Sequence, residues 1–114
     1  MERDRLTVGL ASDTQEILAR VMDLGWFQDA QDVARLAFAV AIRAKVPAGN
    51  SSDTDTRWAA GNFDLSGELR AVIAALFPAC QTPVRLMEHF VNEGLRLIGL
   101  KLANPGLTPD QFLE

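Results

Sequence analysis

The sequence is poor in the side chains that most often perform chemistry, because its 114 residues include one cysteine, one histidine and no tyrosine. Cys80 alone cannot form an internal disulfide or a multi-cysteine zinc site, and His89 alone excludes every two-histidine metal motif. A glycine-rich phosphate loop and a nucleophile elbow are also missing. We therefore expect a protein that is not an enzyme and that uses no cofactor or metal. A catalytic pair of carboxylates far apart in sequence stays open at this point.

Long apolar runs are missing as well. The most apolar stretch, residues 34–42, is interrupted by Arg35 and is far shorter than the roughly 18 residues of a membrane span. The charged start, residues 1–5, is not followed by the apolar segment of a secretory signal. A hydrophobic content of 48% with 23% charged residues is typical of a folded domain. We expect a single cytoplasmic domain over residues 1–114 with no membrane partner.

An alternating segment near the N-terminus predicts a short strand, because Leu6, Val8 and Leu10 fall on one face. No other segment has a comparable alternation, and a single strand is not stable alone. We therefore expect this strand to pair with the same strand of another copy. The side chains expected at such a homodimer or homotetramer interface are Leu6, Val8, Leu10, Phe38, Val40 and Ile42.

Two capped helices follow the strand. Ser12 and Gln15 have the spacing of a capping box, so the first helix should begin with Ser12 as its N-cap and stop at Gly25. The second helix, residues 30–45, should be capped by Asp29 or Gln28. It is apolar over most of its circumference, which again indicates burial by a second subunit.

The rest of the chain predicts a loop and two more helices. Residues 46–64 are rich in turn formers and should form a polar loop whose far end is pinned by Trp58 and Phe63. Residues 65–104 should form a helical hairpin, with helices at 66–77 and from Thr82 to Ala103, and residues 105–114 a tail. The predicted fold class is mainly α: a short N-terminal strand, about four helices and a ribbon-helix-helix-like core in an oligomer.

The order of strand, capped helix, glycine and second capped helix over residues 1–45 resembles the ribbon-helix-helix family. The resemblance implies a dimer whose paired strands enter the DNA major groove, while the second helix holds a phosphate at its N-terminus. The positions that would contact DNA are Arg3, Arg5, Thr7, Arg35, Arg43 and Lys45.

A second resemblance covers most of the chain. Residues 35–42, RLAFAVAI, look like the central helix of the small DndE subunit of bacterial DNA phosphorothioation systems. Trp58, Gly61 and Phe63, then residues 67–69, then His89-Phe90 and Gly94-Leu95 continue in the same order. The resemblance implies a small helical oligomer associated with double-stranded or nicked DNA and with other subunits of a DNA-modification complex.

The charge balance favours a different function. DNA binders neutralise phosphates with lysine and arginine, but this chain has a net charge of −4 and only two lysines. Asp29 and Asp32 stand where a phosphate would approach the second helix. Arg35, Arg43 and Lys45 could simply form a solvated face with Asp32. The alternative is therefore an acidic helical interaction module, an adaptor or antitoxin-like protein, with no DNA binding.

One further pair of residues has the spacing of two metal ligands. His89 and Glu93 lie one helical turn apart, but two ligands without a third are typical of a surface or interface histidine instead.

Overall fold

The computed structural model describes residues 3–113 as one mainly helical fold with a two-stranded antiparallel sheet. The helices and strands in chain order are β1 (Thr7–Leu10), α1 (Ser12–Asp23), α2 (Ala30–Arg43), β2 (Asp55–Ala59), α3 (Ala60–Phe63), α4 (Glu68–Leu76), α5 (Pro83–Lys101) and a 3₁₀ turn (Pro109–Leu113).

The partner of β1 is β2 of the same chain, which corrects the expectation that no second strand exists. Thr7 lies opposite Ala59 and Val8 opposite Trp58, and a register shift follows before Gly9 pairs with Thr56. The segment 46–64 is therefore not a loop throughout, because it contains β2 and α3. In β2 only Trp58 is even half-buried, so the strand has none of the apolar alternation by which sequence analysis recognises one.

The core is built around the contact between α2 and α5. Gly94 makes this contact possible, because a Cβ atom placed there would lie 1.8 Å from the carbonyl oxygen of Ala37. Val33, Ala37 and Ala41 of α2 are completely buried within the chain. Most of the apolar circumference of α2 is thus covered by the chain's own elements and needs no second subunit for its burial, whereas Ile42 is only half-buried.

The helix ends follow the expected patterns with one correction. Asp29 caps α2 by accepting a hydrogen bond from the backbone N–H of Gln31 at 2.9 Å, and Gly25 has the positive φ of a helix stop. Ser12 is already helical, so the N-cap of α1 is Ala11 and no side chain caps it. Thr82 is the N-cap of α5 and Pro83 its first residue, as predicted.

Residues near both ends of the described range are fastened to the rest of the fold. The carboxylate of Asp4 accepts hydrogen bonds from the N–H groups of Val84 and Arg85, both at 3.0 Å, and so caps the N-terminus of α5. Phe112 is completely buried, with its ring centroid 5.8 Å from that of Trp26. Within residues 3–113, no helix combines the length and the apolar content needed to cross a bilayer.

Candidate nucleic-acid interface and apolar groove

Arg5, a predicted DNA contact, is bound inside the fold. Its guanidinium donates to Glu88, 1% exposed, and to Thr54, each at 3.2 Å. The Glu88 carboxylate also accepts the backbone N–H of Gly9 at 2.9 Å. The charge of Arg5 is therefore neutralised by a buried carboxylate, and its guanidinium holds β1 against α5.

Arg35 is likewise used within the chain. Its guanidinium lies 3.0 Å from the carboxylate of Asp32 and donates at 3.0 Å to the backbone carbonyl oxygen of Phe63. It also donates to Gln31 at 2.9 Å. The alternative interpretation of Arg35, an i,i+3 ion pair with Asp32, is confirmed, and the side chain fixes the end of α3 to α2.

The outer face of the β1–β2 ribbon presents polar side chains. The hydroxyls of Thr7 and Thr56 lie 3.3 Å apart across the two strands. Arg57, at the register shift, is exposed, with its guanidinium carbon 5.4 Å from the ring centroid of Trp58. Trp58 in turn stacks on the buried ring of Phe63 with centroids 5.2 Å apart, so the predicted pinning of this segment by Trp58 and Phe63 is confirmed. Arg57 is not recognisable from sequence as a residue of this face, because the exposed strand β2 that carries it has no apolar alternation.

Three cations proposed for DNA contact remain exposed. Arg3, Arg43 and Lys45 are solvent-exposed, and none of them forms an ion pair within residues 3–113. Lys45 follows the end of α2 with a φ of 59°, in the left-handed region that favours glycine.

The phosphate site expected at the N-terminus of α2 is occupied by the protein itself. The Asp29 carboxylate already accepts the N–H of Gln31. Asp64 does the same for α4, accepting the N–H groups of Leu69 and Arg70 at 3.0 and 3.1 Å. As Asp4 caps α5 in the same way, three helix N-termini have their own carboxylate instead of an external anion.

Most of the predicted interface side chains belong to the core of the chain itself. Val8 and Leu10 are completely buried, and Phe38 and Val40 are 2% and 5% exposed. These four are corrected to core residues, because β2 and α5 cover them. Leu6, 86% exposed, and the half-buried Ile42 are the two candidates that still reach the surface.

The most apolar helix is also the least covered. Seven of the nine residues of α4 are apolar, but Ile73 is its one buried residue. Leu76 is 54% exposed, and Leu65, just before the helix, is 82% exposed.

An open trough separates α4 from α2. Two adjoining cavities of about 310 and 510 Å³ form it, and Ile42 lines both. We call this trough the α2–α4 groove; the larger apolar side chains that line it are Phe38, Ile42, Val46, Leu69, Val72, Leu76 and Phe77. The apolar composition of residues 68–76 is the sequence signal for an uncovered helix face. The predicted hairpin with the last helix, however, would by itself account for those apolar residues, so the sequence gives no reason to expect an uncovered face.

The histidine and the cysteine do not form a metal site. The Nε2 of His89 lies 3.1 Å from the carbonyl oxygen of Pro47, whereas the carboxylate of Glu93 lies 3.3 Å from Arg96. Cys80 is a half-buried free thiol. Across residues 3–113, no three histidine, cysteine or carboxylate side chains come together as metal ligands.

One exposed ion pair shifts the titration of its members. The guanidinium of Arg96 hydrogen-bonds both carboxylate oxygens of Asp13, at 2.8 and 3.2 Å. These hydrogen bonds lower the pKa of Asp13 and raise that of Arg96. The pair joins α1 to α5 and leaves neither group free for chemistry.

A comparison of the chain with family models, with curated proteins and with solved structures gives no match.

Proposed function

We propose that this chain is a non-enzymatic, homo-oligomeric and cytoplasmic DNA-associated protein that serves as an accessory subunit of a DNA-modification complex. The observation that carries the proposal is the exposed outer face of the β1–β2 ribbon, with Thr7, Thr56 and Arg57 on it. The resemblance of the sequence to the DndE subunit supports the type of complex.

A two-stranded ribbon is a suitable element for reading duplex DNA. The major groove of B-DNA, about 12 Å wide, admits such a ribbon, and hydroxyl and guanidinium groups are suitable partners for base edges. The edge of β1 that does not face β2 is fastened to α5 through Glu88 and Asn92, which hydrogen-bond the backbone of Gly9 and Ala11. The ribbon is therefore a rigid element that can present its outer side chains in a fixed arrangement.

The charge of the chain limits how strongly it can bind. With a net charge of −4 and with Arg5 and Arg35 paired internally, few cations are free to neutralise phosphates. We infer weak, salt-sensitive contact with DNA by a single chain. Strong contact then requires several copies or other subunits that add cations.

An electrophoretic mobility shift with intact and nicked duplexes at rising salt tests the DNA proposal. We expect a shift at low salt that disappears as the salt concentration rises, and a clear weakening by Arg57→Ala. Arg20→Ala is the matched control, because Arg20 is an exposed cation on α1 away from the ribbon. No shift at low salt, or equal effects of the two substitutions, would contradict contact through the ribbon.

The oligomer is proposed through the surface that remains apolar near the ribbon. Leu6, 86% exposed, immediately precedes β1. Light scattering of the purified protein should show more than one copy, and Leu6→Asp should lower the measured mass. A monomer at micromolar concentration would contradict this part of the proposal.

A second candidate function is an acidic protein-interaction module that does not bind DNA. The α2–α4 groove favours it, since soluble proteins rarely leave a helix as apolar as α4 uncovered. Absence of any mobility shift, combined with copurification of a protein partner from the native cell, would favour this function over the first.

A further inference from the structure

We propose that the α2–α4 groove is the docking site for an amphipathic helix of another protein, with acidic side chains flanking its apolar face. The proposal specifies the partner of the interaction module and rests on that second candidate function. It does not depend on DNA contact, because no ribbon residue lines the groove.

The first argument is the shape of the groove. Phe38 and Ile42 of α2 lie one helical turn apart, and Leu69, Val72 and Leu76 of α4 recur at helical spacing. One cavity is lined by Phe38 and Leu69, and the next by Val46 and Leu76. The chain from α2 to Val46 on one side of the groove and α4 on the other side therefore run in the same direction. Two such apolar walls are the receptor geometry that binds one amphipathic helix.

The second argument is the floor of the groove. The rings of Phe38 and Phe77 lie 5.9 and 5.4 Å from the ring of the buried Phe90, measured between centroids. The floor is therefore part of the packed core and is present before any partner binds. A preformed apolar site needs little ordering on binding, which favours affinity.

The third argument is charge. Arg43 and Lys45 line the groove on its α2 side, and both are exposed without an ion pair in the described part of the chain. Lys45 is held there although its backbone conformation favours glycine. Glu68 is the one acidic side chain at the opposite side. The excess of positive charge at the edge selects acidic residues on the incoming helix.

The same charges argue against a second copy of this chain as the occupant. The exposed apolar helix that a second copy could offer is α4, and Glu68 is its one acidic residue. It would leave at least one of the two cations without a partner.

The test uses two synthetic helical peptides about 15 residues long, or four helical turns. Both have leucines at positions i, i+4, i+7 and i+11; one has glutamates beside the leucines and the other lysines. Fluorescence anisotropy should show that the glutamate peptide binds and the lysine peptide binds at least about tenfold more weakly. Failure of the glutamate peptide to bind, or equal binding of both, would overturn the proposal.

Variants assign the binding to the groove. Arg43→Glu with Lys45→Glu should weaken the glutamate peptide about tenfold and strengthen the lysine peptide. Leu76→Ser should weaken both peptides, and because Leu76 is already 54% exposed the fold should persist by circular dichroism. Leu100→Ser, at a 75% exposed leucine of α5 outside the groove, is the matched control and should change the binding of neither peptide. Unchanged binding in the groove variants would overturn the site.

Analytical sedimentation tests whether a second copy of this chain, instead of another protein, occupies the α2–α4 groove. If Leu76→Ser dissociates an oligomer that Leu100→Ser leaves intact, the groove is occupied by the chain itself and the proposal is wrong. If the oligomer is unaffected while peptide binding falls, the proposal stands. Neither result depends on the mobility shift, so the proposal of DNA contact and the proposal of peptide binding in the groove are tested independently.

Discussion

The carboxylate of Glu88, on α5, accepts a hydrogen bond from the backbone N–H of Gly9 in β1 at 2.9 Å. Asn92, one turn further along α5, donates to the carbonyl oxygen of Gly9 at 3.0 Å and accepts the N–H of Ala11 at the same distance. The edge of β1 that does not face β2 is therefore satisfied by two side chains of a helix. This arrangement lets a two-stranded sheet, which is marginally stable alone, persist within one chain.

Removal of the Glu88 carboxylate should destabilise the protein. In Glu88→Ala the N–H of Gly9 and the guanidinium of Arg5 lose a buried partner, so the free energy of unfolding should fall by about 2–4 kcal/mol. Glu88→Gln keeps a neutral acceptor and should lose about half as much. Urea denaturation measures both, with Glu93→Gln, at a half-exposed position of the same helix, as the control. A Glu88→Ala variant as stable as this control would show that the hydrogen bonds of the Glu88 carboxylate do not stabilise the fold.

Sequence predicts the buried strand of this fold and does not predict the exposed one. β1 is predictable because its large apolar side chains, Val8 and Leu10, are completely buried and alternate with Thr7 and Gly9. β2 was missed because its residues lie almost entirely at the surface, so burial left no pattern in them. That omission produced the expectation of a shared strand, since β1 then had no partner within the chain.

The candidate sites were less predictable because they depend on distant partners. Nothing near Arg5 in sequence indicates that Glu88, 83 positions away, neutralises it. The pairing of Arg35 with Asp32 was predictable because helical spacing places i and i+3 together. The groove required knowledge that α4 and α2 stay apart, which is a property of the tertiary arrangement and not of either helix.

The close contact of α2 with α5 should make Gly94 intolerant of a side chain. In Gly94→Ala the new Cβ would meet the carbonyl oxygen of Ala37 at 1.8 Å, so the backbones of α5 and α2 would have to move apart. We expect a loss of about 2–4 kcal/mol in unfolding free energy. Gly61→Ala is the matched control, because a Cβ there meets nothing within 4 Å. Equal midpoints of the two variants in urea would contradict the described helix contact.

The backbone conformation of Lys45 predicts that Lys45→Gly stabilises the fold but weakens binding of the glutamate peptide. Its φ of 59° is unfavourable for a side chain, so Lys45→Gly should raise the free energy of unfolding by about 0.5–1 kcal/mol. Lys45→Ala keeps the Cβ and should not show this gain. Both variants remove a cation from the α2–α4 groove, so both should weaken the glutamate peptide to a similar extent. A glycine variant less stable than the alanine variant would contradict the left-handed conformation.

The pair of Asp13 and Arg96 predicts a pH dependence of stability. The guanidinium lowers the pKa of Asp13 below its ordinary value of 3.8, so the folded state favours the ionised carboxylate. The stabilisation is therefore complete above the unfolded pKa and is lost as the pH falls through the lower, folded pKa. Because the side chains of Asp13 and Arg96 are 54% and 37% exposed, we expect at most about 1 kcal/mol, and less at high salt.

Asp13→Asn is the variant that tests this dependence. Urea denaturation should show it less stable than the wild type at neutral pH, and the difference should shrink to nothing as Asp13 of the wild type becomes protonated. Glu16→Gln, at an exposed position of the same helix, is the control and should show little difference at neutral pH. A deficit of the Asn variant that persists at the lowest pH, or that salt leaves unchanged, would mean that the lost stability arises from packing between α1 and α5 and not from the charge of Asp13.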